Sequence, residues 1–572
     1  MEVFVMKTPE EPTSKAERAI DPTSICIVGS GPIGLAFALR LANGGQSVTL
    51  IDSGKFAERD QGHELNFGTV VGAAKAKDRS DPTLLEDGII QQYLNHDYLS
   101  FSRYLGSGGS AWRWGVRSRP TAQQHVRIVP GALADFEARP ELDIPGWAAS
   151  ATDIYDRYPD ALTFLGLGSQ TFKIADYQDA LDPFPLPSQL LPTKLFHFAR
   201  ADVIRHQRLQ DVLNHPGIDV RSGLHLLRIE TDKQERVTAL IACDRQGNEV
   251  RLAAKHYVLA LGGIKNARQL LIAKDEGALA DPHDVFGRWF CDHPHVRLGY
   301  LTGAGDDALA RAAAWYDFQD VQGVPVLRGH ELTPAAARDR EMLRFSVDLV
   351  GRPGDYCSRS GIACTKAIDA LKQKDFKTLL ASVPGLASSP MRTLRLAHLV
   401  WKTSVHGTHL GGWSDPSTRQ HGVEILAVEA MFEQRPSPDN RIRLSKQRNR
   451  LGLPRPVLQW SWSRKEVDAI NRSRELMAEA FDKAGVAPFV SMRDLGQGEI
   501  PRAGSGFHHM GGTRQSQDPA EGVVNAENRV HGVENLTLIG CSVFPNSVGY
   551  ANPTLTAIAD ALRVADLFLA ST

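Results

Sequence analysis

Apolar residues fall into distinct registers along this chain. Ile25, Cys26, Ile27 and Val28 form a short continuous apolar run, followed by a glycine-rich turn. Pro32 to Ala42 then carries a mostly apolar face that stops at Asn43-Gly44-Gly45, and Ser47 to Asp52 is a second apolar run. Two apolar runs around an amphipathic segment predict strand–helix–strand, with both strands buried in a parallel sheet. From Ile218 three runs, IDVRSGLHLLRIETD, RVTALIACD and EVRLAAKHYVLALGG, predict an antiparallel meander, after which Ile264 to Lys274 reads as helix. Thr365 to Leu380 and Pro390 to Lys402 are helical in pattern, while VEILAVEAMFEQ and NRIRLS are strand-like. Arg464 to Ala484 predicts a helix that turns Val467, Ile470, Leu476, Met477 and Phe481 toward a core. NLTLIG predicts a buried strand and ANPTLTAIADALRVADLFLA a helix. Residues 60 to 200 lack long periodic segments, and the prolines between Pro183 and Pro192 mark a crossing linker.

At 572 residues the chain exceeds one compact core, so two or three domains are expected. Lys plus Arg number 65 against 66 Asp plus Glu, so no global field attracts nucleic acid. Met1 to Ser24 is mostly polar and lacks the apolar stretch of a signal peptide, and no apolar run reaches the roughly 18 residues of a membrane span. The expected location is the cytoplasm, with the periplasm open if a partner carries the export signal. Six scattered cysteines, without a CxxC pair, fit a reducing compartment, although Cys357 and Cys364 lie close enough in sequence to pair.

Four constellations carry candidate chemistry. Gly29-x-Gly31-x-x-Gly34 follows a strand and opens a helix, and Asp52 ends the next strand. The first glycine permits a tight turn, the second lets backbone approach a pyrophosphate, the third allows close helix packing, and Asp52 is placed to accept ribose hydroxyls. This pattern does not separate NAD from FAD. Phe507-His508-His509-Met510-Gly511-Gly512-Thr513 offers a general base, because imidazole titrates near neutral pH. A metal reading would recruit His293 and His295 but lacks a metal-ligand motif, so no metal is expected. Asn552-Pro553-Thr554 reads as a helix cap followed by proline, or as a helix N-terminus that stabilises a developing anion. Gly109 and Ser110, in the loop Gly106-Ser107-Gly108-Gly109-Ser110, could offer backbone amides to a cofactor edge, and Gly540 ends the NLTLIG strand.

Together these segments resemble the glucose–methanol–choline (GMC) family of FAD-dependent oxidoreductases. The echoes are GSGPIGL with Asp52, GSGGSAWRWG, RPELDIPGW, VLALGGIKNARQLL, FGRWFCDHP, HHMGGT, VNAENRVHGVENLTLIGCSVFP and GYANPTLTAIADALRVAD, in family order. The resemblance implies an α/β fold, in which a Rossmann-like FAD-binding domain with a parallel sheet is joined to an α+β substrate domain with an antiparallel sheet. The expected division is 22–155, 200–298 and 503–572 for FAD, and 156–199 and 299–502 for substrate. It also implies FAD as cofactor, held by Gly29, Gly31, Gly34, Asp52, Gly109, Ser110, Gly540, Pro553 and Thr554. Its H-x-x-G-T setting nominates His509 as the base that takes a hydroxyl proton while the carbinol hydride goes to the flavin. Asn552 is the second catalytic residue and binds substrate with His508, an arrangement similar to the pyranose 2-oxidase and glycoside 3-oxidase branch. Arg113 stands nearest to where some relatives place a flavin-bonded histidine, so the FAD is expected to be non-covalent.

The reaction expected is oxidation of a secondary hydroxyl of a sugar or glycoside, at C2 or C3, with O2 or a quinone or redox protein as electron acceptor. Alternatives are a sterol, aryl or alkyl alcohol as substrate, a non-redox flavin-containing lyase, or a dinucleotide-binding module without catalysis. Loss of flavin colour with substrate under anaerobic conditions excludes the lyase. The binding module predicts a dispensable His509.

Overall fold

The computed structural model describes residues 25–571, except 55–62, 72–97, 119–122, 178–183, 407–422, 493–502 and the short gaps 115, 169, 185, 234, 304–305, 322–323, 353, 355–357, 374–375 and 487. The readings made for Met1 to Ser24 and for Cys357 fall outside the described residues. Cys364 is a buried free thiol.

The fingerprint run forms the centre of a five-stranded parallel sheet, ordered Leu536–Leu538, His256–Leu259, Ile25–Val28, Val48–Asp52 and Ile218–Ser222. Ile25–Val28 is buried throughout, as the continuous apolar run requires in a sheet covered on both faces. The helix Pro32–Asn43 follows with Gly31 at its N-cap and proline at its first position. It packs against the C-terminal helix Pro553–Ala570, where the rings of Phe37 and Phe568 meet edge to face at 5.8 Å. Arg40 Nε donates to Asp566 Oδ1 at 2.6 Å across the same pair.

The three-run meander is corrected by the fold. Gly223, at φ 77°, splits the first run: Ile218–Ser222 joins the parallel sheet and His225–Thr231 does not. The third run splits likewise into Glu249–Leu252 and His256–Leu259, so the antiparallel trio is His225–Thr231, Val237–Cys243 and Glu249–Leu252. At the first split the chain leaves the parallel sheet for the antiparallel excursion, and at the second it returns on the far side of Val48–Asp52 and Ile25–Val28.

The second architectural element is a ten-stranded antiparallel sheet. Its central strands include Gln123–Ile128, Thr193–Arg200, Phe345–Arg352, Ile425–Phe432 and Pro294–Thr302. One apolar core runs through both sheets. The helix Arg464–Lys483 begins with a capping box, in which Ser463 Oγ accepts from the Glu466 N–H and the Glu466 carboxylate accepts from the Ser463 N–H. Such caps contribute about 1 kcal/mol. Between Phe345–Arg352 and Ile425–Phe432 the chain makes an excursion of three helices, Arg359–Gln373, Phe376–Ala387 and Pro390–His406. The helix expected over Thr365 to Leu380 is therefore two helices.

Candidate active site

One cavity of about 660 Å³ runs from the fingerprint glycines to His508, His509 and Asn552. Its first end is built by close backbone approach. A Cβ on Gly29 (φ 112°) would lie 2.6 Å from the Ala260 carbonyl oxygen, and one on Gly34 would lie 2.0 Å from the Gly29 carbonyl oxygen. Both positions therefore exclude any side chain. Gly31 meets Gly109 across the cavity wall, where a Cβ on Gly109 would come within 2.9 Å of the Gly31 Cα. Asp52 is buried, its Oδ2 accepting from the Ser30 N–H and Oγ–H at 2.8 Å each and its Oδ1 from the Gly54 N–H at 2.7 Å. Ser110, Gly540, Pro553 and Thr554 also line the cavity.

This end fits FAD. Gly262 and Gly540 have φ of 82° and 105° and nothing within 4 Å of a built Cβ, which leaves an open backbone cradle in the wall. The N-terminus of Pro553–Ala570 also faces the cavity and favours negative charge there. Replacing Asp52 with alanine is expected to leave purified protein with a lower flavin content. The check is the flavin released by acid precipitation per mole of protein; full release from the wild type also reports a non-covalent cofactor. Undiminished flavin in the variant would remove Asp52 from the ribose role.

At the other end, Asn552 occupies the helix N-cap position, but its side chain makes no capping bond. Its Nδ2 donates instead to His508 Nε2 at 3.0 Å, and its Oδ1 accepts from Arg127 Nε at 3.1 Å. Arg127 is itself fixed by Asp348 Oδ2 at 2.9 Å and lies 4.5 Å over the Phe196 ring. His508 Nδ1 meets His293 Nδ1 at 2.8 Å, and His293 Nε2 lies 3.1 Å from the Ser547 carbonyl oxygen and 2.9 Å from that of Gly549. Asp292 Oδ1 accepts from the backbone N–H of both His293 and His508, each at 2.8 Å, which locks the two segments together.

The loop before Asn552 is held under strain. Val548 is β-branched yet sits at φ 53°, fixed by its N–H donating to Asn546 Oδ1 at 2.9 Å. That loop presents both carbonyls to His293 and aims Asn552, so one segment orients two of the site's side chains.

Of the adjacent histidines, His508 is the one that meets Asn552. His509, the residue nominated by the H-x-x-G-T spacing, turns away: its Nε2 bonds the Tyr98 hydroxyl at 3.0 Å, and its backbone lies against Gly263. Phe507, at φ 56°, and the Asp292 clamp on the His508 N–H set this choice. His293, Arg127, Asp292 and Tyr98 were not foreseen as site residues. The only sequence signal for His293 was the Asp292-His293-Pro294-His295 run, which had been weighed for metal alone.

Burial pushes His293, His295 and His509 down to about 3 and His508 well below its usual 6.5, with neighbouring cationic and imidazole groups adding to the effect. All four rings are neutral at pH 7. In the unfolded chain they regain ordinary values near 6.5. Between about pH 3 and 6.5 the unfolded state therefore binds protons that the folded state refuses. Their contribution is complete above pH 6.5 and is lost as the pH falls through this window. The urea midpoint of the protein is expected to fall between pH 7 and pH 4. A flat profile would mean that the rings are charged in the fold.

Residues 436–561 match the family model described as GMC oxidoreductase. Together with the dinucleotide cleft and the paired sheets, that match over the C-terminal part of the chain supports an FAD-linked oxidoreductase acting on CH–OH groups. It is 23% identical over 592 residues to 6'''-hydroxyparomomycin C oxidase of Streptomyces lividus, covering 94% of this chain and 90% of that one. Paromamine 6'-oxidase of Streptomyces fradiae is 30% identical over 358 residues, and fructose dehydrogenase large subunit of Gluconobacter japonicus 26% over 351. These matches cover 61% and 60% of this chain, and each spans 52% of the relative. The solved structure of pyridoxine 4-oxidase from Mesorbium loti shares the fold at a TM-score of 0.52 and 14% identity, over 96% of this chain and 99% of that one. Formate oxidase does so at 0.51 and 15%, with the same coverage.

Proposed function

We propose that this chain oxidises a hydroxyl of a sugar or glycoside, with His508 as the base and Asn552 as the donor that holds the substrate oxygen. The reading rests on one observation, the 3.0 Å contact between His508 Nε2 and Asn552 Nδ2 in a cavity continuous with the cofactor cleft. The surrounding hydrogen bonds dictate the tautomers. His293 Nε2 faces two carbonyl oxygens, which only accept, so it carries the ring proton. A neutral His293 then has a lone pair on Nδ1, and His508 Nδ1 must donate to it. Neutral His508 is left with its lone pair on Nε2, facing the amide of Asn552.

A substrate hydroxyl entering between these groups gives its proton to His508 Nε2 and keeps the Asn552 N–H on its oxygen as that oxygen becomes a carbonyl. His293 acts as a positioning residue, since it fixes which nitrogen of His508 is basic. Bound FAD supplies the acceptor for the two electrons and hydrogen that leave the carbinol carbon. O2, or a quinone or redox protein, takes the electrons afterward.

The far wall of the cavity favours a polyhydroxylated substrate over a sterol or aryl alcohol. Arg297, Arg352, Asp348, Glu429, His125 and His295 line it, and Arg297 is ion-paired to Glu429. Relatives named for aminoglycosides and fructose support the same class. The resemblance to pyranose and glycoside oxidases favours a ring hydroxyl at C2 or C3, whereas a relative named for the 6' position favours the exocyclic carbon. An anaerobic screen of sugars, glycosides, amino sugars, sterols and aryl alcohols for loss of flavin absorbance tests the class. A ketone product supports C2 or C3, and an aldehyde supports the exocyclic carbon. Bleaching by sterols or aryl alcohols alone would overturn the assignment.

A further inference from the structure

We infer that the three-helix excursion Arg359–Gln373, Phe376–Ala387 and Pro390–His406 is a surface that docks on an anionic lipid bilayer. The first helix turns Ala363, Cys364, Ala367 and Ala370 inward and packs against the other two. The outer helices then face solvent with apolar rows. Phe376, Leu380 and Val383, at i, i+4 and i+7, share one face of the second helix, with Phe376 72% and Leu380 71% exposed. Met391 and Leu394, at i and i+3 on the third helix, are 77% and 65% exposed.

With Leu371, these are the six most exposed large apolar side chains among the described residues. A soluble surface scatters such residues singly, so their concentration marks an interaction face. Charge selects the occupant. Residues 359 to 406 hold eight Lys and Arg against two Asp, in a chain whose net charge is −1. Exposed Lys377, Arg392 and Arg395 stand beside the apolar rows. A second copy meeting this face across a two-fold axis would set like charge on like charge. Amphipathic helices with apolar residues among basic ones instead fit the interface of an anionic membrane. Among the described residues no helix is long and apolar enough to cross a membrane, so the contact is interfacial. Arg352, where the excursion leaves the sheet, also lines the reaction cavity, so the excursion adjoins the cavity wall.

The test is co-sedimentation of the holoenzyme with phosphatidylcholine vesicles and with vesicles containing phosphatidylglycerol. Binding is expected to the anionic vesicles only, weakening as salt rises. The triple variant Phe376→Ser, Leu380→Ser, Met391→Ser should bind about tenfold or more weakly, with its flavin content and turnover unchanged as evidence of folding. A charge variant, Arg392→Glu with Arg395→Glu, should lose the anionic preference. Equal binding to neutral vesicles, no binding to either, or unaltered binding by both variants would overturn the inference. So would a dimer, seen by sedimentation velocity, that the triple variant abolishes, because the face would then belong to a second copy.

Discussion

Replacing His508 with alanine is expected to lower the rate of anaerobic flavin reduction by about 10²- to 10⁴-fold, with FAD still bound. The side chain provides the lone pair that faces Asn552, and alanine provides none. The backbone is spared, because the His508 N–H that donates to Asp292 Oδ1 survives the substitution. The matched control is His509→Ala. Its ring bonds Tyr98 and does not meet Asn552, so its loss should cost much less in rate. Stopped-flow absorbance on both variants separates the neighbours. A collapse of rate in His509→Ala with near-normal His508→Ala would return the base role to His509.

The second large effect is expected at His293. Phenylalanine there keeps the ring volume but removes the acceptor for His508 Nδ1, so His508 is free to hold its proton on Nε2 and present the wrong tautomer. Wrong-tautomer variants lose catalysis steeply in hydrolytic enzymes, and a loss on the order of 10²-fold in turnover is expected in this oxidative site, with KM little changed. His293→Asn places an amide oxygen near the lost Nδ1 and should restore most of the rate. The pH profile gives a readout that packing alone would not move. His293 helps hold His508 below its usual range, so removing it should shift the acid limb of the rate profile to higher pH. An unmoved limb, or equal losses in the Phe and Asn variants, would reduce His293 to a packing residue. The Ser547 and Gly549 carbonyls would also lose a donor, so thermal unfolding of each variant should be recorded alongside.

The elements nearest the two ends of the described chain were legible because burial leaves a simple trace. Ile25–Val28 and Leu536–Leu538 are covered on both faces and read as unbroken apolar runs. The excursion His225–Thr231 to Glu249–Leu252 was misread because its strands join the parallel ones through short turns such as Gly223, where a change of sheet leaves no gap in the apolar pattern. The single helix expected over Thr365 to Leu380 failed for a similar reason, since no proline or glycine in that stretch marks the division between Arg359–Gln373 and Phe376–Ala387. Within the site, glycines and Asp52 were readable because their spacing alone expresses backbone geometry. Which of His508 and His509 meets Asn552 was not, because a positive φ at Phe507 and an acceptor at Asp292 set it. Arg127 was invisible for want of any motif. It is a lone basic residue on a strand, and only the sheet brings it to Asn552 and Asp348.

The outermost parallel strand, Leu536–Leu538, and the amide of Asn552 both come from late in the chain, while the fingerprint they complete begins at Ile25. A nascent polypeptide on the ribosome thus carries the pyrophosphate turn through about 500 further residues before the groups that complete the cleft are made. Cofactor loading is consequently a late event in biogenesis, and truncation ahead of residue 536 should yield a colourless product however well the earlier segments fold.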